Sequence, residues 1–123
     1  MSKEQERVID WRELKAMMKA LAGVARLTIV YHLAHRQDQE ITVNSLTDVL
    51  NISQPLVSWH LNKLKRAGLI ETRRVGRQVY CSLNLPRFQQ CIRHLEGLID
   101  PAFQVEALPS GPLLIEADAA AER

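Results

Sequence analysis

The chain has 123 residues, 46% apolar and 24% charged, with a formal net charge of +2; this suits one globular domain with a single modest core. No apolar run approaches the roughly 20 residues that span a bilayer, and the opening MSKEQERVIDW lacks the apolar stretch of a secretory signal, so a cytoplasmic protein with no membrane role is expected. Cys81 and Cys91 form neither a CxxC pair nor a disulfide framework, which points to reduced thiols.

Between residues 4 and 22, Trp11, Leu14, Met17, Met18 and Leu21 recur three and four apart among charges, the pattern of an amphipathic first helix. Gly23 punctuates. A second helix is expected over 24–36, with Val24, Leu27, Val30, Leu33 and Ala34 inward, followed by a polar segment to Glu40. Ile41 reads as a stub of strand and Thr42 as the cap of a short helix over 43–50, with Leu46, Val49 and Leu50 inward. Asn51-Ile52-Ser53 is then a turn only a few residues long, so the next helix follows closely, as in a helix-turn-helix.

That next helix starts on Ser53, tolerates Pro55 in its first turn, where backbone amides have no helical partner, and stops at Ala67-Gly68. Val57, Leu61 and Leu64 make its buried stripe. Successive residues about 100° apart put Pro55, Ser58, Trp59, Asn62, Lys63 and Arg66 on the opposite half. Leu69, Ile70, Thr72 and Val75, then Val79, Tyr80, Ser82 and Leu83, have strand character around a Gly76-Arg77 turn. A two-stranded ribbon is marginal alone and must lean on the helices. Asn84 and Pro86 open a last helix over 86–99, with Phe88, Cys91, Ile92, Leu95, Leu98 and Ile99 apolar. Its stripe, like that of the first helix, is broader than a small core needs; the economical cover is a second copy of the chain. A division into a domain over 1–100 and a loosely held tail over 101–123 follows, with Leu113, Leu114 and Ile115 the tail's candidates for docking. The class is mainly α with a small β-hairpin.

Charge is unevenly spread. Between 53 and 80, Lys63, Lys65, Arg66, Arg73, Arg74 and Arg77 stand against Glu71 alone, a net +5 that leaves −3 for the remainder. Basic residues gathered on one helix and one hairpin are the footprint of phosphate neutralisation. Taken together with the family resemblance given below, this basic face makes the candidate contact set for double-stranded DNA Ser53, Gln54, Ser58, Trp59, His60, Asn62, Lys63 and Arg66 on the helix, with Arg73, Arg74, Arg77 and Gln78 on the hairpin. Gln54 and Asn62 carry amides able to pair bidentately with adenine. Lys63 and the arginines are assigned to phosphates, which position without specifying. Trp59 either packs on a sugar edge or thymine methyl or buries against the hairpin. His60, at the flank of the apolar stripe, reads better as half-buried and hydrogen-bonded than as a base reader.

The run ALAGVARLTIVYHL and then SLTDVLNISQPLVSWHLNKLKRAGLIETRRVGRQVYCSLN resembles the ArsR/SmtB family of bacterial winged-helix repressors, over roughly residues 14 to 99. Ser53, Gln54, Ser58 and His60 match the family's reading helix, and Arg74, Gly76, Arg77 and Tyr80 its wing. The resemblance implies a winged helix-turn-helix, dimerising through the first and last helices. It also implies binding to an imperfect inverted repeat, with the helix after Ser53 in the major groove, and release on a signal.

The family's sensing residues are not matched. VNSLTDVLN has none of the cysteines of the arsenic sensors, and His94 in the last helix lacks a partner at the spacing used for zinc or cobalt. No metal or cofactor is therefore expected, and the inducer stays open. His32 and His35, at i and i+3, read as a partly exposed helix end rather than ligands. Cys81 and Cys91 read as buried apolar thiols, with a redox or persulfide sensor as the alternative. No catalytic triad, phosphate-cradling loop or metal triad suggests an enzyme. The competing reading from another class is a winged-helix module whose basic face binds a protein without an operator.

Overall fold

Two short polar side chains set the helix-turn-helix. In the computed structural model, which describes residues 9–38, 40–105, 108–112 and 114–115, Thr42 Oγ1 accepts from the Ser45 N–H at 3.1 Å and starts α3 (Val43–Leu50). Asn51 turns left-handed at φ 54° and ends it. Ser53 Oγ then accepts from the Leu56 N–H at 3.4 Å and opens α4 (Gln54–Arg66), so one helix follows the other after three residues. Val57, Leu61 and Leu64 of α4 are buried, as their spacing requires.

The remaining elements surround this pair: α1 (Trp11–Leu21), α2 (Val24–Ala34), β1 (Glu40–Thr42), β2 (Ile70–Val75), β3 (Gln78–Leu83) and α5 (Leu85–Ile99). The hairpin β2–β3 turns at Gly76, whose φ of 60° suits a residue without a Cβ. It is not a bare ribbon. The β1 stub pairs antiparallel with β3, Ile41 opposite Cys81, giving an antiparallel sheet of order β1-β3-β2 with β3 central. The third strand supplies support that was expected from the helices alone.

The core gathers one face from each element: Met17 of α1, Ile29 and Leu33 of α2, Leu46 of α3, Leu64 of α4 and Ile70 of β2 are all 2% exposed or less. Each contributes about 1.5–3 kcal/mol by leaving water. One guanidinium ties three helices together at their ends. Arg87 of α5 donates from Nε to the Ala67 carbonyl at the end of α4 (2.9 Å), and its Nη1 lies 2.6 Å from Glu13 Oε1 of α1. Gly68 makes room for it: at φ 76°, a Cβ there would sit 2.5 Å from Arg87 Nε.

Several expectations need correction. Helix α1 starts at Trp11, not residue 4, because Asp10 Oδ1 accepts from the Glu13 N–H at 3.0 Å and caps it; residues 1–8 lie outside the described residues. Helix α2 stops at Ala34 and turns Ile29, Val30 and Leu33 inward, while Val24 (82% exposed), Leu27 and Ala34 face out. Val49 is exposed on α3. The wide stripe of α5 divides: Cys91 is buried with Phe88 and Leu95 against the core, whereas Ile92, Leu98 and Ile99 point outward. Beyond α5 the chain stays close at first, the Phe103 ring lying against Gly97 and Val105 packing on the core. Leu114 and Ile115 are exposed, and Leu113 lies outside the described residues. Among the described residues no helix is long and apolar enough to cross a membrane.

Candidate nucleic-acid interface

With its apolar stripe buried, α4 leaves its other half to solvent: Gln54, Ser58, Trp59, Asn62, Lys63 and Arg66 are all exposed, as is the capping Ser53. The half divides lengthwise. Gln54, Ser58 and Asn62, at i, i+4 and i+8, share a hollow of about 250 Å³ with Arg77 and Gln78 of the hairpin. Trp59, Lys63 and Arg66 line a separate groove on the side of α1. The fold thus brings the polar row of the helix and the tip of the hairpin to one concavity. Asn44 of α3 and Lys65 of α4 line it too, neither of them in the expected contact set. Lys65 had a signal, its place in the basic stretch; Asn44 is brought there only by the fold.

The hairpin arginines differ in kind. Arg74 and Arg77 are exposed. Arg73 is held in a bidentate pair with Glu40 of β1, Nε to Oε2 at 2.7 Å and Nη2 to Oε1 at 2.8 Å, and lies 4.6 Å from the Tyr80 ring centroid. Its charge is matched within the sheet, and the pair holds the Glu40 carboxyl below its usual range through the hydrogen bond that Arg73 donates. Arg73 thus braces β2 against Glu40 across the sheet, which sets it apart from Arg74 and Arg77.

Trp59 does not bury against the hairpin. It is 52% exposed, with Lys63 Nζ 4.9 Å and the Arg26 guanidinium 5.7 Å from its ring. His60 is half-buried, and its Nδ1 accepts from Arg26 Nη1 at 3.1 Å, which places any ring proton of the neutral form on Nε2. Burial first, and the Arg26 charge second, lower its pKa, so His60 is neutral at pH 7. It orients α2 against α4 rather than facing out as a reader. Arg26 also donates to the carbonyls of Ala20 (2.6 Å) and Ala22 (3.0 Å), stitching the α1–α2 turn to α4.

Both cysteines are buried. Desolvation pushes the Cys81 thiol up to about 11 and raises that of Cys91, the reverse of what a reactive thiolate needs. His35 stacks on Tyr31 (centroids 4.0 Å) and lies exposed at the end of α2, its Nδ1 2.9 Å from the Tyr31 carbonyl. His94 is 6% exposed, its Nδ1 without a hydrogen-bond partner among the described residues. Among the described residues no three His, Cys, Asp or Glu side chains converge as a metal set.

Residues 24–72, from α2 into β2, match the family model "Bacterial regulatory protein, arsR family". The chain is 34% identical over 88 residues to the transcriptional activator HlyU of Vibrio cholerae, covering 72% of this chain and 79% of that one. It is 41% identical over 63 residues to the transcriptional repressor SmtB of Mycobacterium tuberculosis, a match spanning 51% of this chain but only 44% of SmtB. The fold is similar to that of HlyU from V. cholerae (TM-score 0.58, 30% identity, 80% of this chain and 98% of that one). It is also similar to an ArsR-like transcriptional regulator from Rhodococcus (TM-score 0.63, 27% identity, 72% and 80%). These relatives are transcriptional regulators rather than enzymes. On the helix-turn-helix, the hairpin beside it and the extent of the match, the chain belongs to the arsR family of bacterial regulatory proteins, with a winged helix-turn-helix fold.

Proposed function

We propose that two copies of this chain bind an inverted-repeat operator in the cytoplasm and repress transcription until a signal releases them. The observation that carries the reading is the shared concavity in which Gln54, Ser58 and Asn62 of α4 face Arg77 and Gln78 of the wing. A helix entering a major groove there sets its amides against base edges while the wing follows the backbone. Gln54 and Asn62 read adenines, with Ser53 and Ser58 beside them. Lys63, Arg66, Arg74 and Arg77 neutralise phosphates. Residues 1–100 form the binding and pairing domain, and 101–123 the tail. Pairing through α1 and α5 accounts for the outward Met18, Ile92, Leu98 and Ile99, 42–84% exposed in the single chain.

Buried, protonated thiols do not favour the cysteine-sensor alternative. The names of the relatives include both a repressor and an activator, so the direction of control is read from a reporter. Footprinting of the gene's own upstream region, with retention of that duplex at rising salt and the mass of the free protein by light scattering, tests the proposal. A dimer whose sequence-selective retention weakens steeply with salt is expected. A monomer, or a basic face that captures proteins but no duplex, refutes it.

A further inference from the structure

The outward crest of α4 carries an indole at its middle. Val57, Leu61 and Leu64 fix the buried direction of the helix, and at about 100° per residue Trp59 points within about 20° of directly opposite, nearer the crest than Ser58 or Asn62. The indole is half open to solvent in the single chain. It is also held in place. Lys63 Nζ and the Arg26 guanidinium lie 4.9 and 5.7 Å from its ring centroid, both within cation–π reach. The Trp59 and His60 rings meet edge to face, centroids 5.0 Å apart. Arg26 is fixed in turn by His60 and by the Ala20 and Ala22 carbonyls. One flank of the indole borders the groove of about 770 Å³ between α1, α4 and the C-terminal segment, which Trp11, Pro109 and Leu114 also line. Apolar surface on the crest is nonetheless left in water, and no element among the described residues covers it.

We propose that Trp59 is a specificity-determining residue that packs on the C5-methyl of a thymine in each half-site. This contact rests on the operator reading. A helix entering a major groove brings its crest to the base edges, which show donors, acceptors and one kind of apolar group, the thymine methyl. An indole set against guanine or cytosine strips water from donors and acceptors that its carbon faces cannot satisfy. Against a thymine methyl both surfaces are apolar, and both leave water. The neighbouring amides agree: each adenine paired by Gln54 or Asn62 brings a thymine methyl on the opposite strand. Because Arg26 and Lys63 hold the ring before the duplex arrives, little side-chain freedom is lost on contact.

Deoxyuridine keeps the hydrogen-bonding edge of thymine and lacks the methyl, so it isolates this contact. In the footprinted duplex, thymines are replaced one at a time. One position per half-site should emerge at which deoxyuridine weakens wild-type binding about fourfold, the worth of one buried methyl, and about 15-fold when both half-sites are changed. Trp59→Ala should bind the thymine and deoxyuridine duplexes equally, and Trp59→Phe, which keeps a ring, should retain part of the difference. Both variants should keep a salt slope near the wild-type value, because no charge is removed. A Trp11→Phe variant leaves Trp59 as the only indole of the full-length chain, and its fluorescence should change saturably as the thymine duplex is added. A retained duplex in which no deoxyuridine substitution matters overturns the thymine contact and leaves the operator reading standing. The same follows from an undiminished deoxyuridine penalty in Trp59→Ala, or from Trp59 fluorescence that does not respond to a retained operator. Absence of any sequence-selective retention refutes the operator reading, and the contact with it.

Discussion

Replacing Arg74 and Arg77 together by alanine should change how the protein responds to salt more than which sequence it prefers. The proposed phosphate contacts are Lys63, Arg66, Arg74 and Arg77, four cations per chain and eight in a pair of chains. At about 0.9 per neutralised phosphate, log affinity against log salt then has a slope of about −7, and affinity falls roughly 10⁴-fold between about 50 and 200 mM salt. The double variant leaves four contacts in the pair, so the slope should drop to about −3.6 and the loss over the same range to roughly 10²-fold. Fluorescence anisotropy with a labelled operator and a scrambled duplex, across that salt range, measures both. Arg73→Ala is the internal control: that guanidinium already sits in two hydrogen bonds to Glu40, so its removal should leave the slope near the wild-type value. A double variant whose slope changes by less than about one, or whose affinity falls for the operator alone, would refute the assignment of these arginines to the backbone.

Gln54→Ala should relax the preference at one operator position by about 1–3 kcal/mol while keeping the wild-type salt slope, as read by competition among duplexes differing at single base pairs. Gly68→Ala should lower unfolding stability by about 1–3 kcal/mol in urea, because the position is left-handed and a methyl collides with Arg87. His60 has a folded-state pKa below its unfolded value of 6.5. Its contribution is therefore complete above that pH and declines as pH falls from 6.5 toward the folded value; a His60→Gln variant with the same stability profile between about pH 7.5 and 5.5 would contradict this. Cys81 and Cys91 should resist a thiol reagent such as DTNB at mildly alkaline pH and react together once urea unfolds the chain.

Local signals made the helix-turn-helix legible. Thr42 and Ser53 are short-range caps, and Val57, Leu61 and Leu64 repeat with an unambiguous phase, so α3 and α4 follow from adjacent residues. Helix α2 was harder because VARLTIVYHLA is apolar nearly all round, and such a helix does not announce which face it buries. Val24 and Leu27 were turned inward by a rule that Ile29 satisfies equally well. The start of α1 was misplaced because the charged residues before Asp10 extend the periodic pattern without a stop. Ile41 marks the β1 stub locally, but its pairing with β3 and the Glu40–Arg73 pair depend on residues more than 30 apart, and no local propensity reports them. The α1–α4 groove escaped for the same reason. Its two tryptophans are 48 positions apart, and its wall includes a tail that sequence alone treated as loose.

Arg87 has a mechanical consequence. It grips the end of the reading helix with one nitrogen and the first helix with another, from a base on the last helix. The helices proposed to join the subunits and the helix proposed to enter the duplex are thereby linked at their ends by this side chain, beside the Arg26 bridge from the α1–α2 turn to His60. A small rotation of one subunit on its partner is then expected to reach α4 through these polar links as well as through the shared core. The tilt between the two reading helices becomes a property of how the pair is seated, so a substitution at Arg87 should alter the half-site spacing that is tolerated even though the residue touches neither base nor phosphate.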